Sequence, residues 1–170
     1  MASSAEILAD AFERVRQTSR SAARDLGPDL LEVRLDPASN SIAWLVWHLA
    51  RSQDAQVAVV MDSDQLWKTA GWSKKFSLPL PEDSTGYSHS ADEVGQVRGI
   101  RSELLVDYLD AVSDRTATYV GGLTASDLDR IVDERFTPAV TLGVRLVSVI
   151  SDGLQHAGQA AFIRGVLERR

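Results

Sequence analysis

The sequence predicts an all-α protein, a four-helix bundle with one long crossover between its second and third helices. Three observations carry that prediction. Four long segments repeat apolar residues near the helical period, no segment alternates convincingly with the period of a strand, and about thirty residues rich in turn-formers separate the second segment from the third. A chain of 170 residues is most simply one domain, residues 1–170, and buries roughly two-thirds of the surface its unfolded form exposes. Neither metal nor disulfide is needed merely to fold it.

The first helix is expected from Ser4 to about Leu26. Ile7, Leu8, Phe12, Val15 and Ala22 recur at helical spacing, Ser4 offers a cap, and Gly27-Pro28 a stop. "LLEVRLDPASN" reads as irregular. Asn40 or Ser41 then caps a second helix, "SIAWLVWHLARSQDAQVAVVM", ending near Met61; its first half is apolar on nearly every face, so it should be deeply packed. Residues 62–90 contain Trp67, Trp72, Phe76 and the turn-like "PEDSTGYSHS". So long a structureless stretch is unusual in a compact domain, which predicts a crossover with a short helix inside it, pinned by its aromatic residues. A third helix is expected from about Ser90 to Val120, stopped by Gly121-Gly122, followed by a brief capped turn at "TASDLD". The fourth runs from Thr137 or Pro138 to Glu168.

A net charge of −6 makes the surface as a whole repel phosphate backbones and anionic lipid, which argues against nucleic acid as a partner. The absence of cysteine removes disulfides, thiolate metal sites and a cysteine nucleophile together. Any metal must be held by nitrogen and oxygen, and any reactive thiol must arrive on a ligand. The start, "MASSAEILADAFERVRQ", lacks the basic-then-apolar layout of a signal peptide, and no stretch reaches the ~18 apolar residues of a membrane span, so a cytoplasmic protein without membrane association is expected. Fifteen arginines against three lysines, with a single asparagine, hint at a high-GC, actinobacterium-like source.

The candidate site begins with His48. In "IAWLVWHLA" it stands among eight apolar residues, on a stripe with Trp44, Ala55 and Val59. In the fourth helix Asp152 and His156 share a face at i, i+4, about 5–6 Å apart at their β-carbons, beside Val149 and Ile163. A buried carboxylate without a partner is costly, so something must neutralise or ligate it. Two readings are open. Asp152 pairs with His156 or Arg145 and His48 is a satisfied core histidine, or the two imidazoles and the carboxylate converge on one divalent ion, an arrangement that leaves coordination positions free. His89, in "TGYSHSADEV", reads as a surface histidine beside a helix cap, with Ser88 or Ser90 and Glu93 forming a capping box. No glycine-rich phosphate cradle, nucleophile elbow or hydrolytic triad is present.

The histidine in "NSIAWLVWHLARSQD", the linker with "GWSKKFSL" and "TGYSHSADEVGQVR", and the late "DGLQHAGQ" together resemble the DinB-like (YfiT-like) superfamily of four-helix metalloenzymes, over roughly residues 5–168. That resemblance implies an up-down-down-up bundle, often paired as a homodimer. It puts the metal, commonly zinc or nickel, at His48, Asp152 and His156. Position 152 departs from the commoner histidine; the mycothiol-dependent maleylpyruvate isomerase branch places glutamate there, one methylene longer. The resemblance further implies a thiol S-transferase or isomerase in detoxification or stress response, using mycothiol, bacillithiol or glutathione as cosubstrate. Coordination to a divalent ion favours thiolate at neutral pH, and this chain has no thiol of its own. A substrate pocket is then expected among Trp44, Trp72 and Tyr87. The other readings are a non-catalytic scaffold with a vestigial site, and an iron(II) centre for oxygen activation.

Overall fold

In the computed structural model, which describes residues 2–169, Ser3 rather than Ser4 caps helix α1 (Ser4–Ala23). The Ser3 hydroxyl accepts from the Glu6 amide at 3.2 Å while the Glu6 carboxylate accepts from the Ser3 amide at 2.7 Å. Two donors orphaned by the helix start are thus satisfied reciprocally. The stretch expected to be irregular contains one helical turn, α2 (Pro28–Leu31), opened by Pro28, whose missing N–H costs nothing at that position. Ser41 caps α3 (Ile42–Val60) by accepting from the Trp44 amide at 3.2 Å.

Every residue from Ile42 to Asp54 is buried. The reason is position. Helix α3 packs against both α7 (Ser102–Gly121) and α8 (Leu142–Leu167), and the crossover covers what is left. Helix α1 also packs on α7 and α8, so the four long helices form a ring in which α1 lies diagonally opposite α3.

Cross-helix pairs fix the directions. Val15 meets Gly153, and Arg164 donates to the Ser21 and Arg24 carbonyls, so α1 and α8 are parallel. His48 meets His156 and Gln56 meets Arg145, so α3 and α8 are antiparallel. Gln53 bonds Thr116 and the Tyr119 hydroxyl bonds the Val60 carbonyl, so α3 and α7 are parallel. The order is up-down-down-up. Two consecutive parallel helices require a connection that returns the length of a helix, ~28 Å for nineteen residues.

That return path carries α4 (Leu66–Thr69), α5 (Trp72–Phe76) and α6 (Ala91–Val94). It is anchored by a buried carboxylate. Asp54 accepts from the amides of Leu66 and Trp67 at 3.0 and 2.8 Å, the first two of α4, and from the Tyr108 hydroxyl at 2.9 Å. Arg51, fully buried, lies 3.7 Å from the same carboxylate and over the Trp67 ring at 4.6 Å, and donates to the Ser84 carbonyl at 3.2 Å. A buried charge pair of this kind holds because each member is hydrogen-bonded as well as paired.

Two boundaries differ from the sequence expectation. The helix expected from Ser90 is cut in two: the Ser90–Glu93 capping box starts only the single turn α6, and Gly99, at φ +72°, turns the chain before α7 begins at Ser102. The last helix begins at Leu142, not at Thr137 or Pro138. Residues ahead of it form a small antiparallel hairpin, β1 (Ile131–Asp133) with β2 (Val140–Thr141), and Thr141 leaves the strand by capping α8 through the Val144 amide. Short β-branched runs beside a proline suit a strand end better than a first helical turn. Among the described residues, no helix is long and apolar enough to cross a membrane.

Candidate metal centre

Near the N-terminal end of α3 the antiparallel seam with α8 brings His48, Asp152 and His156 together. One ligand atom from each lies within 4.8 Å of the others, a span that small side-chain rotations close around a single ion with bonds of about 2.0–2.2 Å. The His48 and His156 rings meet edge to face at 4.7 Å. Trp44, one turn before His48, stacks on it at 4.6 Å and 15°, and presents an edge to His156 at 6.1 Å. His48 is 6% exposed, whereas the Asp152 side chain is 40% exposed, so the site is walled on the α3 side and open on the other.

The protons can be placed. His48 Nδ1 lies 2.5 Å from the Thr85 carbonyl oxygen, which can only accept, so Nδ1 carries the hydrogen and the Nε2 lone pair is free. His156 Nδ1 donates to Gln159 Oε1 at 3.2 Å, and its Nε2 lies 3.4 Å from Asp152 Oδ1. A neutral His156 in that tautomer would set a lone pair against a carboxylate oxygen. A positive charge on or between them, a proton or a metal ion, satisfies both groups at once. The donor set, two imidazole nitrogens and one carboxylate, suits zinc, nickel or iron(II).

The titration shifts follow the same geometry. Bonding to Asp152 raises His156 above the ordinary imidazole value, and bonding to His156 holds Asp152 below the ordinary carboxylate value. Burial pushes His48 down, against the bond to Thr85, so this imidazole is kept neutral.

Residues beyond the expected trio complete the site. The crossover segment 84–89 wraps over the face of α3. A β-carbon at Gly86, where φ is +93°, would stand 2.6 Å from His48 Nδ1, so only glycine lets the backbone approach closely enough for Thr85 to bond the ring. His89 is half-buried rather than a surface residue. The Trp44 indole, which can only donate, gives its N–H to His89 Nδ1 at 3.2 Å; His89 Nε2–H then donates to Ser84 Oγ at 2.8 Å, and its ring stacks on Trp47 at 5.9 Å. Both nitrogens are engaged in holding the loop. Gln159 reaches His156 from the next turn of α8. The sequence signal for Gln159 was its place three residues after His156; the roles of Gly86 and His89 carried no such signal.

Of the residues expected to wall a substrate pocket, Trp44 lies at the site. Trp72 does not. It is buried against Tyr108 at 5.4 Å between ring centroids, with the Lys75 ammonium 4.0 Å over its ring, and so anchors the crossover. Tyr87 is 84% exposed, because the left-handed turn at Gly86 and Ser88 points it away from the bundle. Beyond Gln159 the seam opens into a groove of about 480 Å³ among Leu35, Leu45, Phe162 and Ile163.

The sequence model of the DinB superfamily matches residues 11–160. A conserved protein from Enterococcus faecalis, known from its crystal structure, is similar over 100% of both chains at 29% identity, with a TM-score of 0.92. No curated protein matches the chain. A match over this extent, on a bundle of this topology, means that the chain belongs to the DinB superfamily.

Proposed function

We propose that the protein is a divalent-metal-dependent thiol S-transferase that joins a low-molecular-weight thiol, mycothiol or a similar compound, to a small electrophile in detoxification or stress response. One observation carries the metal in this reading: the Asp152 carboxylate and the His156 Nε2 face each other at 3.4 Å beside the free Nε2 of a neutral His48, an arrangement completed by a cation. Zinc or nickel fits the donors. The absence of cysteine supports a thiol brought by the substrate, and the open side at Asp152 supports a site that takes a ligand.

Bound there, a divalent ion supplies a Lewis acid that favours thiolate over thiol at neutral pH. The chain's own residues prepare the site for it. Burial keeps His48 neutral and Thr85 holds its one proton at Nδ1, leaving Nε2 bare; Asp152 lowers the net charge; Gln159 orients His156; Trp44 excludes water from the α3 side. A cytoplasmic homodimer completes the proposal.

The second reading, a binding or scaffold protein, draws on the same pair, since a protonated His156 satisfies Asp152 without any ion. Metal analysis of the purified protein, followed by a thermal-shift screen of metals crossed with thiols, separates the two. Stoichiometric zinc or nickel and a further shift with thiol are expected; a ligand at a hundredfold excess over Kd adds about 2.7 kcal/mol. Replacing His156 with alanine should remove the metal while leaving unfolding cooperative. Full metal content in that variant, or none in the wild type, overturns the proposal.

A further inference from the structure

The seam between α3 and α8 continues past the three candidate ligands in the direction opposite to the apolar groove. On α8, Arg145 precedes Asp152 by two turns on the same stripe, ~10.5 Å away by helical rise. On α3, Ala55 and Val59 continue the stripe of His48, with Gln56 beside them. Between these faces and the hairpin lies a pocket of about 340 Å³, edged by Gln56, Asp133, Arg135 and Arg145 over an apolar floor of Val60 and Val132.

The charges in this pocket do not cancel. Asp133 accepts from Arg135 Nε and Nη2 at 2.9 and 2.7 Å and from Arg145 Nη2 at 3.0 Å, so one carboxylate is shared by two guanidinium groups. Arg145 Nη1 donates to Gln56 Oε1 at 3.2 Å. A third guanidinium, Arg130, bonds the carbonyl of the floor residue Val60 at 2.9 Å. The chain as a whole is acidic, with a net charge of −6, yet the side chains lining this pocket set two guanidinium groups, Arg135 and Arg145, against one carboxylate, Asp133. Guanidinium groups present paired N–H donors suited to carboxylates; Arg145 is partly buried, and the exposed Arg135 stands at the mouth of the pocket.

We infer that this pocket is the subsite for the anionic end of the molecule whose other end binds at His48, Asp152 and His156. The ligand class is a flexible low-molecular-weight thiol carrying a carboxylate about two helical turns from its sulfur. The inference rests on the thiol reading above and specifies which thiols fit. This narrows the thiol reading: mycothiol, which carries no carboxylate, reaches only the metal, whereas a carboxylate-bearing thiol fills both ends of the seam.

Cobalt(II) loaded into the purified protein gives a near-ultraviolet absorption band when a thiol coordinates it, so the band serves as the binding readout. Glutathione, which carries carboxylates, and 2-mercaptoethanol, which carries none, are titrated separately. Glutathione is expected to bind about tenfold more tightly, the ratio that ~1.4 kcal/mol gives. Arg135→Gln should remove most of that advantage and leave 2-mercaptoethanol unchanged. Gln56→Glu should do the same, and because glutamate keeps the acceptor for Arg145 it tests the charge without disturbing the fold. If 2-mercaptoethanol binds but glutathione gains nothing, or if the variants weaken both thiols equally, the subsite is overturned and the thiol reading stands. If neither thiol produces the band, the thiol reading falls and the subsite falls with it.

Discussion

His48 Nδ1 donates to the Thr85 carbonyl at 2.5 Å, and this bond ties a buried helix residue to a crossover 37 positions further along the chain. It leaves Nε2 as the only free nitrogen of that ring. Gly86 makes the approach sterically feasible, so Gly86→Ala should push the loop off the imidazole. Both the clash at 2.6 Å and the φ of +93° oppose an alanine there. Outer-shell partners of a ligating histidine are typically worth 10–100-fold in affinity. A loss of metal affinity in that range, measured by competition with a chromophoric chelator, is expected alongside a stability loss of about 1–3 kcal/mol. Unchanged affinity would mean that the Thr85 bond does not set the ring.

His89 joins Trp44 to Ser84 as acceptor and donor at once. His89→Ala leaves the indole N–H without its partner and frees the loop, so metal affinity should fall by about tenfold or more. Glutamine at the same position offers one acceptor and one donor, and His89→Gln should recover part of the loss. Equal affinity in both variants would reduce His89 to a packing residue.

Metal loading should release protons in a pattern set by the two histidines. His156 is held protonated above the ordinary imidazole value by Asp152, whereas burial keeps His48 neutral. Near pH 6.5, the ordinary imidazole value, loading should therefore expel about one proton, declining toward none as pH rises past the folded value of His156. Calorimetry in buffers of different ionisation heat measures this. The same pair stabilises the metal-free fold. Because the folded value of His156 is raised, its contribution is full below the unfolded value, about 6.5, and is lost as pH rises through the folded one. Asp152, with its value lowered, contributes above about pH 4. Asp152→Asn should thus cost more stability at pH 6 than at pH 8.5, and release of two protons at neutral pH would contradict the assignment.

The anchor of the crossover is open to an independent check. Tyr108→Phe removes the hydroxyl that donates to Asp54 and leaves the buried carboxylate with the two amides of α4. A loss of about 1–3 kcal/mol in urea unfolding is expected. No change would place the anchoring in the aromatic cluster of Trp67, Trp72 and Phe76 around the Tyr108 ring.

The periodic segments made the bundle legible, because a helix that buries one face must repeat its apolar residues and the order of such segments limits the topology. His48, Asp152 and His156 were legible for a related reason: polar groups on an apolar stripe stand out. Trp72 misled, since an aromatic residue in a crossover packs against the bundle whether or not a pocket lies beneath it. His89 and Gly86 were hidden because their roles depend on a contact between segments distant in sequence, which periodicity does not encode. The hairpin before α8 was missed for its brevity; strands of two or three residues do not establish an alternation.

The parallel pairing of α3 and α7 has a kinetic consequence. The returning segment must fold back along the whole bundle before Thr85 can reach His48, and Asp152 and His156 are supplied only by the last long helix, so the contacts that bring His48 to the other candidate ligands and to Thr85 are of high sequence separation. Such contacts form late, after the loop entropy that opposes them has been offset by packing elsewhere. A chain emerging during synthesis holds His48 long before it holds a second ligand. Metal acquisition should therefore follow completion of the tertiary fold, and pulse-labelled metal uptake during refolding should track the final closure of the bundle rather than early helix formation.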